Sequence, residues 1–293
     1  MKNWLSATAA LLSLSVSATA GADEDGLVWA IEGEQNTVYL VGSIHLLRQS
    51  DYPLPPSINV AYEDAEKLLM ELDMDDMDQL AMARIMMEAG RAPEGQTLTS
   101  LLGDDYESAS EKAGLINLDL KRLDALQPWL VAMTVTQMAM MSEGFDPMAG
   151  VEMHIARRAG QDQKPIEGLE TLEEQIGALS GMDMEDQIDF LLVTLDEMEK
   201  VSEGVESLVG AWRDGDIDTM VNDLIAPMNE NEDVYDAMLT NRNRNWIETI
   251  EAQLEGEDDV MILVGAAHLV GDDSVNDMLE KRGHKLRRIT AAR

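Results

Sequence analysis

Two short runs at opposite ends of the chain share one spelling. Tyr39-Leu40-Val41-Gly42-Ser43-Ile44-His45 lies near the start and Ile262-Leu263-Val264-Gly265-Ala266-Ala267-His268 near the end. Each is an apolar run of strand length, then Gly, two small or apolar residues, and His. Such a run reads as a buried strand, and buried parallel strands bring ligand-binding groups to their carboxyl ends. Gly lets a neighbour approach closely as the backbone leaves the sheet. A single His in this frame reads more readily as a buried residue bonded to a carbonyl. The chain has only four histidines, and two fall in the repeated frame. That repetition points to one shared site, and it requires the two chain ends to meet in one sheet.

The rest of the pattern agrees. Residues 27–31 and 37–41 read as strands around a turn at 32–36, a hairpin. After Pro53, Pro55 and Pro56, residues 57–66 read as a helix and 67–72 as a buried strand, the order of a parallel crossover. From 75 to 241 the pattern is mainly helical. Within it 75–89 has helical spacing, 129–141 is apolar almost all round and reads as a buried helix, and 164–166 reads as a short strand before a helix at 171–179. The methionines of this region, Met133, Met138, Met140 and Met141 among them, read as core filling or as an adaptable groove. A helix at 242–254, a strand at 260–264, a helix at 273–282 stopped by Gly283 and a strand at 285–289 complete the chain. The expectation is an α/β fold, with a mixed sheet built from both chain ends and a long, mostly helical middle covering its open edge.

Residues 1–20 read as a secretory signal peptide: Lys2, an apolar stretch, and Ala18-Thr19-Ala20 before the cut. Residues 21–293 then form one α/β domain, with 75–241 as its helical middle, exported to the periplasm or the medium. No later run is apolar enough to span a membrane. With no cysteine, disulfides and thiolate metal sites are excluded, so a metal would need His, carboxylates or water. A formal net charge of −36 repels nucleic acid and anionic membrane. The basic tail, from Lys281 through Arg287 and Arg288 to Arg293, is expected to pair with the acidic surface.

Glu71 ends the apolar run Lys67-Leu-Leu-Met-Glu71. A carboxylate there either emerges into solvent or, if buried, needs a partner. His45, His268 and Glu71 together make a two-histidine, one-carboxylate set that suits a divalent cation activating water, with Glu71 alternatively a general base. Asn241-Arg242-Asn243-Arg244-Asn245-Trp246 precedes the second motif. Arg242 there can orient a carboxylate or stabilise an oxyanion, or the segment can be an exposed helix start. His154 and His284 lie outside the repeated frame and read as structural or exposed. There is no phosphate-binding Gly-rich loop, no Gly-x-Ser-x-Gly elbow and no His-Glu-x-x-His helix.

Taken in order, Tyr39 to His45, Pro53-Leu-Pro55, Leu68-Leu-Met-Glu71-Leu-Asp73, Gly150-Val-Glu152-Met-His154, Lys164-Pro-Ile-Glu-Gly-Leu-Glu170-Thr171, Asn241-Arg242-Asn243 with Trp246, and Val264-Gly-Ala-Ala-His268-Leu-Val-Gly271 resemble the TraB/GumN family, which is related to the Tiki metalloproteases. The resemblance covers residues 26–289. It implies a Tiki/erythromycin-esterase-like α/β fold and a hydrolase acting on peptides with a divalent ion, manganese or cobalt. It places His45, His268 and Glu71 at the metal, and Glu71, Arg242 and Asn243 as catalytic residues. Glu152 stands where relatives often carry Asp. Two other functions remain open: a non-catalytic protein that binds or sequesters a peptide, and, by fold analogy, a haem- or iron-binding protein.

Overall fold

The computed structural model describes residues 25–75, 79–197, 201–229 and 231–290. The signal-peptide reading of residues 1–20 lies outside them, as does Arg293. Strands β1 (Val28–Glu32) and β2 (Thr37–Ser43) form the expected antiparallel hairpin, Val28 opposite Val41 and Glu32 opposite Thr37. Helix α1 (Pro56–Asp64), with Pro at its first position where no N–H is needed, leads to β3 (Lys67–Met70). The helical middle follows. It contains α2 (Gln79–Ala89), α3 (Tyr106–Leu115), α4 (Pro128–Ser142), α5 (Val151–Asp162), the short strand β4 (Ile166–Gly168), α6 (Leu172–Ser180), α7 (Met184–Glu197) and α8 (Val201–Asp214). The chain closes with α9 (Asn241–Leu254), β5 (Val260–Gly265), α10 (Val275–Lys281) and β6 (Arg287–Arg288).

The six strands form one mixed sheet in the order β4-β3-β5-β2-β1-β6. β5 runs parallel to β3 on one side and β2 on the other, with all six of its residues buried. The chain ends therefore meet at the centre of the sheet, as the repeated motif requires. β2, β5, β3 and β4 are parallel, so their carboxyl ends share one rim. The crossover from β2 through α1 to β3 is parallel, but β5 is inserted between the two strands. The middle does not simply cover an edge: it supplies β4, one of the two edge strands.

Local chemistry fixes the boundaries. Thr171 and Glu174 make a reciprocal capping box that starts α6, and the Ser274 side chain caps α10. The last strand is shorter than expected, two residues, because only Arg287 and Arg288 pair with Ala30 and Trp29. The strand placed at 164–166 begins two residues later, since the Lys164 N–H still bonds the Ala159 carbonyl at the end of α5 and Pro165 has no N–H to pair. Helix α4 is not buried all round. Trp129, Val131, Ala132, Val135 and Ala139 pack inward, while Met133, Met138 and Met141 are exposed. One hydrophobic core surrounds the sheet, and a second joins α3, α4 and α7 through Ala109, Val135 and Leu191. Among the described residues no helix is long and apolar enough to cross a membrane. The basic tail pairs as expected, Arg287 with Glu32 and Arg282 with Glu251.

Candidate active site

Register brings the candidate residues together. Gly42 lies opposite Val264 and Ser43 opposite Gly265, so the two motifs leave the sheet side by side. Met70 lies opposite Leu263, which puts Glu71 next to the end of β5. After Gly265 the chain coils into one 3-10 turn, Ala266–Leu269, and this turn carries His268 under α9. After Ser43 the chain is held by the Val151 N–H on the Ile44 carbonyl, at the start of α5. α9 is entered from a wide turn of π geometry, Asp236–Thr240, and its first turn presents Arg242 and Asn243 to the rim.

Glu71 is the hub. Its Oε1 accepts the Gly265 N–H at 2.8 Å and lies 4.0 Å from His45 Nε2 and 3.9 Å from His268 Nε2. Its Oε2 accepts from Arg242 Nη2 at 2.6 Å and from Gln175 Nε2 at 3.1 Å. Burial alone would raise the Glu71 pKa, but its neighbours His268, His45 and Arg242, of which the Arg242 guanidinium is in direct contact, and the Gly265 N–H outweigh it and hold the carboxyl well below its usual range. All three groups predicted for the metal therefore converge on one carboxylate oxygen.

Each imidazole is oriented from behind through Nδ1. His45 Nδ1 lies 2.7 Å from Glu152 Oε1, which also accepts the Ser43 hydroxyl. His268 Nδ1 lies 2.6 Å from Asn243 Oδ1. The Asn243 amide is itself fixed, because its Nδ2 donates to the Asp273 carbonyl. Asn243 thus orients His268 from outside the reacting centre. The two rings sit in opposite electrostatic surroundings. The Glu152 carboxylate raises the His45 pKa, whereas burial pushes that of His268 well down. The His268 ring also packs on Trp246, centroids 4.6 Å apart.

Arg242 is partly buried, with 13% of its side chain exposed, and bridges two carboxylates. Glu170 accepts its Nε at 3.0 Å and its Nη2 at 2.6 Å, and the guanidinium lies over Trp246. Trp246 Nε1 donates to Glu170 at 3.2 Å. The exposed helix start weighed for this segment does not describe Arg242. Three site residues were missed or unassigned in the sequence: Glu170, which lies two residues beyond β4 and has no apolar run before it, Gln175 of α6, and Glu152. His154 packs against Tyr52 and His284 pairs with Glu251, both outside the site. A cleft of about 870 Å³ opens beside Glu170, Arg242 and Trp246, with Glu174, Asp183 and Asp186 on its walls. Neither histidine of the repeated frame lines it.

Whether this donor set fits a metal can be judged from its chemistry. Two imidazoles tied back through Nδ1, with Nε2 atoms facing one carboxylate oxygen, form the arrangement in which outer acceptors orient metal-ligating histidines. The spacing is wider than in a formed centre. Bonds of about 2.0–2.2 Å usually bring ligand atoms to roughly 3–3.5 Å apart, and among the described residues no trio of His, Asp or Glu is drawn that close. The donor types and their orientation fit, with the trio held open.

A fold of this kind, with paired Gly-x-x-His strand ends around a carboxylate at the rim of a mixed sheet, defines the class the motifs resemble. The chain belongs to the TraB/PrgY/gumN family, whose sequence profile matches residues 27–288. It is similar to the uncharacterized protein YbaP of Escherichia coli (strain K12), at 24% identity over 247 residues, 82% of this chain and 87% of YbaP. It is also similar to an uncharacterized protein of Treponema pallidum (strain Nichols), at 23% identity over 277 residues, 88% of this chain and 81% of that protein. No solved structure matches it.

Proposed function

We propose that the protein is an exported, divalent-metal-dependent hydrolase acting on peptides. The observation that carries this reading is the convergence of His45 Nε2 and His268 Nε2 on Glu71 Oε1, at 4.0 and 3.9 Å, with both rings oriented through Nδ1. His45, His268 and Glu71 would hold the ion, manganese or cobalt by family resemblance. A divalent ion bound there supplies Lewis acidity for a carbonyl and acidifies water. The chain's own residues do the rest. Glu71 is instead the general base if the ion is held without it, Asn243 and Glu152 keep the rings in register, and Arg242 offers N–H groups to developing negative charge. The cleft beside Arg242 is of the size that takes a drug- or peptide-sized ligand.

The test is a peptide-library digestion by the protein with Mn2+ or Co2+, read by mass spectrometry. The expected result is cleavage that stops with chelator and falls at least about a hundredfold in His45→Ala and His268→Ala. A protein that binds neither ion and cleaves nothing overturns the metal mechanism. The second reading, a peptide-binding protein without turnover, is favoured by one feature: Arg242, Gln175 and Gly265 already satisfy the Glu71 charge. Peptide recovered intact and bound after long incubation with metal selects it.

A further inference from the structure

Arg242 does something at this site that transition-state stabilisation does not require. The Asn243 amide donates to Asp273 through Nδ2, so its oxygen faces His268 and His268 Nδ1 carries the ring proton. The only lone pair of the neutral ring is then at Nε2. Arg242 Nη1 lies 3.1 Å from that nitrogen and donates into it, since a guanidinium has no acceptor to offer. Its Nη2 sits at the same time on Glu71 Oε2, at 2.6 Å. An imidazole nitrogen has one lone pair in the ring plane, and a cation ligated by His268 needs the same one.

We infer that Arg242 is a built-in stand-in cation, which caps His268 and Glu71 in the ion-free site and must draw back onto Glu170 before a divalent ion can be held. The inference rests on the metal reading of the site. The way back is present in the structure. Glu170 already accepts both Nε and Nη2, and the guanidinium stacks on Trp246 with its Cζ 4.9 Å from the ring centroid. As the planar guanidinium leaves His268 and Glu71, Glu170 can therefore keep holding it through Nε and Nη2, and the Met238 carbonyl, 3.1 Å from Nη1, gives that nitrogen a second acceptor. Ion affinity is then set by a competition inside the protein. Glu170 pulls Arg242 away from the site, His268 and Glu71 pull it in, and its positive charge opposes an incoming cation.

The competition predicts shifts of opposite sign. Co2+ binding is measured by calorimetry and visible absorption on the wild type, Arg242→Gln and Glu170→Gln, with thermal melts to establish that each is folded. Arg242→Gln frees the His268 lone pair and removes the like charge, and is expected to bind Co2+ at least tenfold tighter than wild type. Glu170→Gln leaves Arg242 with His268 and Glu71 as its strongest partners, and is expected to bind at least fivefold weaker. A folded Arg242→Gln whose affinity is unchanged or weaker overturns the inference. Should that variant fail to fold, Glu170→Gln decides alone, and equal or tighter binding overturns it. If wild type and variants bind Co2+ equally, only the stand-in role falls; if none binds, the metal reading falls with it.

Discussion

The glycine of the second motif keeps open the space on which the candidate ligands converge, and a single methyl group tests this. A Cβ built on Gly265 lies 3.3 Å from Glu71 Oε1, 3.3 Å from His45 Nε2 and 3.6 Å from His268 Cδ2. It would stand among the three groups. The backbone poses no obstacle, since φ −51 and ψ 137 are ordinary for alanine. Gly265→Ala gains about 0.4–1 kcal/mol from the restricted unfolded chain and about 0.8 kcal/mol from a buried methyl. It loses about 1–3 kcal/mol from tight contacts with polar atoms. The net change stays within about 2 kcal/mol, and for a chain of this size each kcal/mol moves the melting temperature by about 2–4 °C. The variant should therefore fold and melt within about 8 °C of wild type. Co2+ binding and hydrolysis should both fall at least about tenfold, because the methyl group stands in the space the three groups share and Glu71 and His45 must give way around it. Melts by circular dichroism, Co2+ calorimetry and peptide digestion on the same preparation decide it. A folded Gly265→Ala that keeps its ion affinity within threefold refutes the argument that the three groups act at a common point.

The first motif's glycine should behave in the opposite way. A Cβ on Gly42 meets Leu27 Cβ at 3.1 Å and the Ala266 Cα at 3.2 Å, so Gly42→Ala overpacks the sheet. It is expected to destabilise by about 1–3 kcal/mol in urea unfolding while residual folded protein keeps its Co2+ affinity. Far from the site, Glu251 accepts from Arg282 at 2.6 and 2.9 Å and from His284 at 2.8 Å, and these bonds lower its pKa to about 2. A depressed carboxyl pKa contributes stability that is complete above the unfolded value of about 4.3 and is lost as pH falls through the folded value. Glu251→Gln should cost about 1 kcal/mol near pH 6, a figure discounted for partial exposure, and the gap to wild type should close towards pH 2. Urea unfolding at several pH values measures the gap, and a pH-independent one refutes the pairing.

The parts of this molecule that could be read from sequence are those with local causes. The apolar runs ending at Gly42 and Gly265 declare themselves as strands, and their repetition joins the chain ends. Strand order is another matter. Nothing in the spacing of β2, α1 and β3 reveals that β5 enters between them, because that pairing is made across nearly the whole chain. Glu71 was legible because an acid after Leu68, Leu69 and Met70 breaks an apolar run. Glu170 was not, because it follows the exposed Glu167 and reads as one more surface acid. Glu152 sits in the first turn of α5, where an acid already favours the helix dipole, so its bond to His45 gives no separate signal. The methionines of α4 misled for a related reason. Met counts as apolar at every position, and only the inward stripe of Trp129, Ala132, Val135 and Ala139 shows which face the helix buries.

The repeated frame is shared, yet the two histidines do different work. Gly265 is the last residue of its strand, and the 3-10 turn after it folds His268 inward until 5% of its side chain is exposed. Gly42 lies inside β2, so the strand continues through Ser43 and delivers His45 to the mouth, where 60% of its side chain meets solvent. Burial lowers the His268 pKa, and the Glu152 carboxylate raises that of His45. The closed side of the site thus holds a ring whose Nε2 faces the Arg242 Nη1, and the open side a ring paired with Glu152, with Glu71 between them. One ring, locked by Asn243, Trp246 and Arg242, is a fixed wall. The other is held by Glu152 on its outer face and is the more exposed of the two.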